Sequence, residues 1–337
     1  MPIRSGWKRA VLLIALGLLS ACALIELTVR IATHSLLSWE SKDSDDYFVI
    51  DPLVGRLPKD GVSLRHPRGF TMTIGEHGTR RNGVDGSYPP RPVTLAVGDS
   101  FAFGDGVEDR DSWPAILEQL TGQRVVNGGV PGFGLDQAVL RAEQLAPLYD
   151  PAVIIVGFIP HDVLRCEMSY WSGQAKPYFE LDDSGRLVFH AMPVPPARAF
   201  GSVKRLLSKS VAMEEFFAPF LHWEGPPEEI VHRRGVEVAC RLMDRLAALG
   251  RARNARIVVV AQPQQPDETA DDRRLKDAVL ACAGANHIAA VDLFPVFERL
   301  PPQERTRMFP RHMDAEGNRV VAVALADLLR ATNPQKP

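Results

Sequence analysis

The sequence predicts an α/β fold, a doubly wound parallel sheet of five strands, preceded by an apolar N-terminal helix. Three observations carry this. From Pro92 onward, short apolar runs alternate with amphipathic stretches of helical length. The runs are hydrophobic along their whole length, as in strands covered on both faces, and do not alternate residue by residue. The chain has 337 residues, 45% hydrophobic and 24% charged, a composition and length suited to one sizeable core with insertions.

The elements follow in order. Residues 1–9 are a basic N-terminus with Arg4, Lys8 and Arg9 ahead of the uncharged run Ala10 to Ile25. Extended to Ile31, the run reaches the ~20 residues that a bilayer needs. Glu26 and Arg30, four residues apart on this helix, are placed to pair. The leading positive charges favour a cytoplasmic N-terminus with the body on the other side of the membrane. Residues 10–31 are therefore read as a transmembrane anchor or signal segment. Two alternatives stand beside an uncleaved anchor: a lipoprotein box at Leu19-Ser20-Ala21-Cys22, and a cleaved secretory signal. The apolar helix continuing past Cys22 through "ALIELTVRIA" favours the anchor. Residues 32–92, rich in Asp, Gly, Pro and Arg, read as an extended connector packed on the domain.

The domain itself is expected over 93–331. "VTLAVGDS" is the first buried strand. "SWPAILEQLTG" is a helix with Ser112 as N-cap, Pro114 in the first turn and an end near Gly122. "RVVNGGVPGFG" is a short strand entering a glycine loop, and "LDQAVLRAEQLAPLY" an amphipathic helix with Ala138, Leu145 and Leu148 among its apolar positions. "AVIIVGFIP" is the third strand. An insertion without the alternation runs from about 164 to 227, with a hairpin about Asp183-Ser184-Gly185 and with Tyr170, Trp171 and Tyr178 available to wall a pocket. A long helix over roughly Glu228–Leu249, carrying Ile230, Val231, Val238, Leu242, Leu246 and Leu249, leads to the strand "RIVVVAQ". A helix over about 271–283 leads to the strand "IAAVDLF", which Asp292 terminates. The last helix is "AEGNRVVAVALADLLRA".

Composition excludes some classes. A net charge of −2 lacks the basic surplus of a nucleic-acid binder. The four cysteines, Cys22, Cys166, Cys240 and Cys282, form no CxxC and no Cys/His cluster, so no metal site is expected. Cys240 and Cys282 read as small buried hydrophobes on helices.

In open parallel sheets ligands bind beyond the C-terminal strand ends, and the chemically useful residues gather there. Gly98-Asp99-Ser100 ends the first strand. Alone it is a common turn, but it places a serine at a helix start where N–H groups can face an oxyanion. "NGGVPGFG" brings Gly132 to the same edge, and "GFIPHD" brings His161 and Asp162. His312, just before the last helix, has the best position of the nine histidines to activate a serine hydroxyl, a poor nucleophile without an imidazole beside it.

These blocks, in this order, resemble those of the SGNH (GDSL) hydrolase superfamily, and more narrowly its bacterial membrane-anchored members. "DPLVGRLPKDG", "EHGTRRNG", "GDSFAFGDGV", "NGGVPGFGLDQ" and "KPYF" extend the resemblance over roughly residues 48–330. It implies the SGNH hydrolase fold, a flavodoxin-like five-stranded sheet. It also implies Ser100 as nucleophile and His312 as base, with Ser100 N–H, Gly132 N–H and a third group forming the oxyanion site. Asp99 and Asp162 would serve as supporting loop caps. Two positions depart from the family. Its third oxyanion donor is an Asn, and here His161 stands there. Its orienting Asp, three residues before the His, is here Phe309. A backbone carbonyl or Asp314 is left to hold the imidazole, or the site runs as a Ser–His dyad.

The function so implied is an extracytoplasmic serine esterase of the inner membrane, acting on O-acyl groups, O-acetyl groups of envelope polysaccharide among them, through an acyl-enzyme. Its partners would be an acylated small molecule or polysaccharide and the membrane through the N-terminal helix, with no nucleic acid and no cofactor. An O-acyltransferase using the same residues, and a catalytically inactive binding protein of this fold, are the alternatives.

Overall fold

The computed structural model describes residues 4–32, 47–65, 69–83, 91–171, 174–192, 210–213, 229–230 and 234–331. The chain divides into two units, Met1–Asp46 with Pro195–Gly225, and Tyr47–Val194 with Pro226–Pro337.

In the first unit, α1 (Arg4–Ala32) contains the stretch Trp7–Ala32, long and apolar enough to cross a membrane. The expected pair forms: Arg30 Nε donates to Glu26 Oε1 at 2.6 Å. Glu26 does more than the sequence suggests. Its carboxylate also accepts from the Ser210 hydroxyl and the Val211 and Ala212 N–H groups, satisfying donors at the start of a helical segment of the insertion. Val29 packs with Val211 and Ala212 beside it.

The second unit begins with two antiparallel pairs, β1 (Phe48–Asp51) with β2 (Gly55–Pro58) and β3 (Ser63–Arg65) with β4 (Thr71–Thr73). Then come β5 (Val93–Val97), the one-turn α2 (Ser100–Phe103), α3 (Trp113–Thr121), β6 (Arg124–Asn127), α4 (Leu135–Tyr149), β7 (Val153–Phe158) and α5 (Pro160–Arg165). The insertion contributes β8 (Met168–Trp171), β9 (Gln174–Ala175), the hairpin β10 (Tyr178–Leu181) and β11 (Leu187–His190), and β12 (Glu229–Ile230). The chain finishes with α6 (Gly235–Arg253), β13 (Arg256–Ala261), α7 (Ala270–Ala285), β14 (Ala289–Asp292), α8 (Phe294–Glu298), α9 (Pro302–Met308) and α10 (Ala315–Ala331).

The main sheet has the order β14-β13-β7-β5-β6, with every pairing parallel. This is the doubly wound order whose crevice opens beside its first strand. Period-two burial explains the two faces. Val93, Leu95 and Val97 of β5 join Ile154, Val156 and Phe158 of β7 in a core with Val139, Leu145 and Leu242. Ala96, Ile155 and Val258 point the other way, into a core with Trp113, Leu117, Val321 and Leu325.

Three expectations are corrected. Ile230 is not helical: it pairs with Met168 of β8, so α6 starts only at Gly235; the apolar spacing had run a two-residue strand into the helix, and Val231 lies outside the described residues. Leu148 is exposed, unlike Ala138 and Leu145, because the last turn of α4 turns Ala146 and Tyr149 to the core in its place. Cys240 and Cys282 are a disulfide and not isolated core residues. Side-by-side packing of α6 and α7 brings their Cα atoms to 5.2 Å, within the span of a bridge. The described insertion hairpin matches expectation, with β10 and β11 antiparallel, and residues 193–209 and 214–228 of the insertion lie outside the described part.

Candidate active site

The site is built on the sharp end of β5. Asp99 caps α2, its Oδ1 accepting the Phe101 N–H at 2.9 Å. This sets Ser100 as the first helical residue, 7% exposed, with its Oγ 3.3 Å from Asp99 Oδ2. After a single turn the chain reverses at Gly104, in the left-handed region at φ 85°. A Cβ there would stand 2.5 Å from Ser112 Cβ, so only glycine fits the turn. The reversal folds the next residue back: the N–H groups of Gly104 and Asp105 both donate to the Ser100 carbonyl at 2.9 Å.

His312 arrives from the other end of the domain. Its Nε2 lies 3.0 Å from Ser100 Oγ, and its Nδ1 lies 3.4 Å from Asp105 Oδ2. The partners assign the tautomer: a proton on Nδ1 facing the carboxylate leaves the Nε2 lone pair for the serine hydroxyl. The ring also rests on Phe101, centroids 5.4 Å apart.

Asp314, one expected substitute for the orienting acid, does not take that place, and the Nδ1 side of the ring faces a carboxylate, not the expected alternative of a backbone carbonyl. Asp314 caps α10, its Oδ1 accepting the Gly317 N–H at 2.9 Å. Phe309 is a core side chain packed on Phe297 at 5.6 Å. The carboxylate facing the imidazole is that of Asp105, which sequence reasoning missed. Its one signal is an acid between two glycines, "GDG", five residues after the serine.

A second residue missed from sequence holds that turn. Arg80 is 2% exposed. It donates to the carbonyls of Phe103 and Gly104, to that of Val107 at 2.7 Å, and to Asp109 Oδ1 at 3.0 Å. Burial pulls its pKa below the ordinary arginine value, against the attraction of Asp109. A guanidinium with its fork of donors fits this set of carbonyls as a lysine would not.

On the opposite side, Gly132 has φ 85°, and a Cβ there would approach Trp171 Nε1 to 3.3 Å. The same indole lies 4.8 Å from the His161 ring, with the Arg165 guanidinium over it at 4.3 Å. Trp171 of the insertion thus touches both the glycine loop and His161. Burial, aided by Arg165, lowers the His161 pKa to about 4, so the imidazole is neutral near pH 7 and keeps one N–H to donate.

Beneath lies a buried charge network. Arg165 Nη1 donates to Asp162 Oδ1 at 2.8 Å and to the Phe133 carbonyl at 2.9 Å, and stands 3.9 Å from Asp99 Oδ2. Asp162 Oδ2 accepts the Ile159 N–H at 3.0 Å, fixing the turn that carries His161. Burial raises the pKa of both Asp99 and Asp162, and for Asp162 the neighbouring Asp99 carboxylate adds to it. Lys176 Nζ pairs with buried Asp136 at 2.7 Å. Among the described residues no three His, Cys, Asp or Glu side chains stand together as a metal site.

No family model matches the chain, and no curated protein matches it. Similar solved structures include TesA, 14% identical, covering 71% of this chain and 98% of that one at a TM-score of 0.43. The psychrotrophic esterase EstA from Pseudoalteromonas is 10% identical, covering 73% of this chain and all (100%) of that one at 0.42. A catalytic mutant of Axe2, an acetylxylan esterase from Geobacillus stearothermophilus, is 16% identical, covering 70% and 93% at 0.40. At such distances the chemistry of the site rests on its own side chains.

Proposed function

We propose that the chain is an SGNH-type serine esterase that hydrolyses O-acyl esters through an acyl-enzyme on Ser100. The observation that carries this is the line Ser100 Oγ, His312 Nε2, His312 Nδ1, Asp105 Oδ2, with steps of 3.0 and 3.4 Å across the imidazole. His312 takes the hydroxyl proton as Ser100 Oγ attacks the ester carbonyl, and Asp105 stabilises the imidazolium that forms. The N–H groups of Ser100 and Gly132, with the neutral His161 ring, hold the developing oxyanion. His312 returns the proton to the leaving alcohol. Water, deprotonated by the same imidazole, then attacks the acyl-enzyme, releasing the carboxylic acid and free Ser100. The fixed partners of Asp99 and Asp162 give them positioning roles outside the proton path.

The domain is proposed to work outside the cytoplasm, anchored in the inner membrane by α1. Three basic residues precede its apolar run, and the Cys240–Cys282 disulfide is a bond that persists in oxidising compartments.

A fluorophosphonate probe on the detergent-solubilised full chain tests the chemistry by intact mass. A single adduct, lost in Ser100→Ala and slowed in His312→Ala, is the expected outcome. No adduct on folded protein removes both the esterase and the acyltransferase and leaves a binding protein. Product analysis with and without a sugar acceptor separates hydrolysis from transfer.

A further inference from the structure

Two clefts adjoin the catalytic loops, and they differ in chemistry. They share Phe48 and Pro131 as walls. One, of about 240 Å3, reaches Gly132 and carries Arg56, Lys176 and the Trp171 indole. The other, of about 230 Å3, is apolar: Val62, Met72 and Ile74 from the segment about β3 and β4 face Phe48 and Phe103 across it. Its one charged lining residue is Asp105, whose carboxylate is turned to His312.

The apolar cleft therefore borders two of the loops that carry the site, through Phe103 and Asp105 of one and Pro131 of the other. The catalytic acid lies at one margin, and at the other lies Pro131, the residue before the oxyanion glycine. Nothing in the ester chemistry needs an apolar recess there unless the substrate brings apolar atoms to it. Each methylene moved from water into such a surface improves binding roughly fourfold. A cleft of about 230 Å3 is far larger than an acetyl methyl needs.

We infer that this cleft, walled by the segment ahead of the main sheet, binds the acyl chain of the ester. The substrates are then esters whose acyl chains are longer than acetyl. The inference rests on the serine-esterase reading and adds its acyl specificity. The cleft bearing Arg56 and Trp171 is left as the polar counterpart.

The test is a series of p-nitrophenyl esters from two to twelve carbons, turned over by the solubilised full chain, with fluorophosphonate labelling of Ser100 run in parallel. The expected result is kcat/KM at least tenfold higher at six to eight carbons than at two. Val62→Trp and Met72→Trp, two independent fillings of the cleft, are each expected to lower the eight-to-two-carbon ratio at least fivefold. Labelled Ser100 with the acetyl ester preferred, or with the ratio unmoved in both variants, overturns the cleft assignment alone. Absence of labelling overturns the esterase reading, and the acyl cleft with it.

Discussion

Asp105 Oδ2 lies 3.4 Å from His312 Nδ1, on the side of the ring away from Ser100, so the serine's own loop supplies the acid that the histidine's loop lacks. Asp105→Asn is expected to keep the fold and lower kcat by up to about 10⁴, the loss found when a triad acid is made neutral. Asp314→Asn is the contrast. It touches a helix cap, costs about 1 kcal/mol or less of stability, and leaves turnover within a few-fold. Steady-state rates and denaturant titrations on both variants check this. Equal losses of activity would refute the assignment of Asp105.

Arg80 acts on the same acid at one remove. Arg80→Ala leaves Asp109 and three carbonyls of the turn without their buried partner, and a cost of about 3–5 kcal/mol is expected. Arg80→Lys keeps the charge without the fork, and its expected signature is a fall in kcat with KM little changed. Urea unfolding and steady-state kinetics give the two readings.

His161 is expected to titrate near pH 4, not near its ordinary 6.5, because burial and Arg165 disfavour its charged form. With a folded pKa below the unfolded one, its contribution to stability is intact above pH 6.5 and is lost as pH falls toward 4. Thermal unfolding from pH 7.5 to 4.5 should therefore drop more steeply in wild type than in His161→Asn. His161→Ala should lose about 10²–10³ in kcat if the ring is an oxyanion donor, and His161→Asn should recover most of it. A ring signal titrating near 6.5 by NMR would contradict the neutral-donor role.

Reduction of Cys240–Cys282, which closes 42 residues, should lower stability by up to about 4 kcal/mol from the chain entropy released. Thermal melts with and without reductant measure this, and a Cys240→Ala/Cys282→Ala double variant should match the reduced protein and ignore reductant.

What could be read from sequence follows from what is local. The sheet strands are apolar on both faces, so their pattern needs no partner to be recognised. α10 was legible to the residue because a polar loop ends and an apolar period begins at Ala315. Ser100 and His312 could be placed because strand ends and helix starts locate them. Asp105 could not, since an acid between glycines is also what an ordinary turn contains, and only the arrival of a distant imidazole gives it a role. Arg80 lay in a connector without periodicity, and the partner of Cys240 is set by how two helices pack, which spacing does not encode.

Arg80 also decides where the polypeptide can be shortened. It comes before the first strand of the main sheet, yet four of its hydrogen bonds go to residues 103–109. Trimming to Pro92 would keep all five parallel strands, the serine and the histidine, while removing the brace on the acid and the wall of Val62, Met72 and Ile74. Trimming to Tyr47 would keep both. The shorter polypeptide should be less stable, lacking Val54 and Leu57 of the core as well as Arg80, and a poor catalyst, so retention of the serine and the histidine alone would be a misleading criterion for an active preparation.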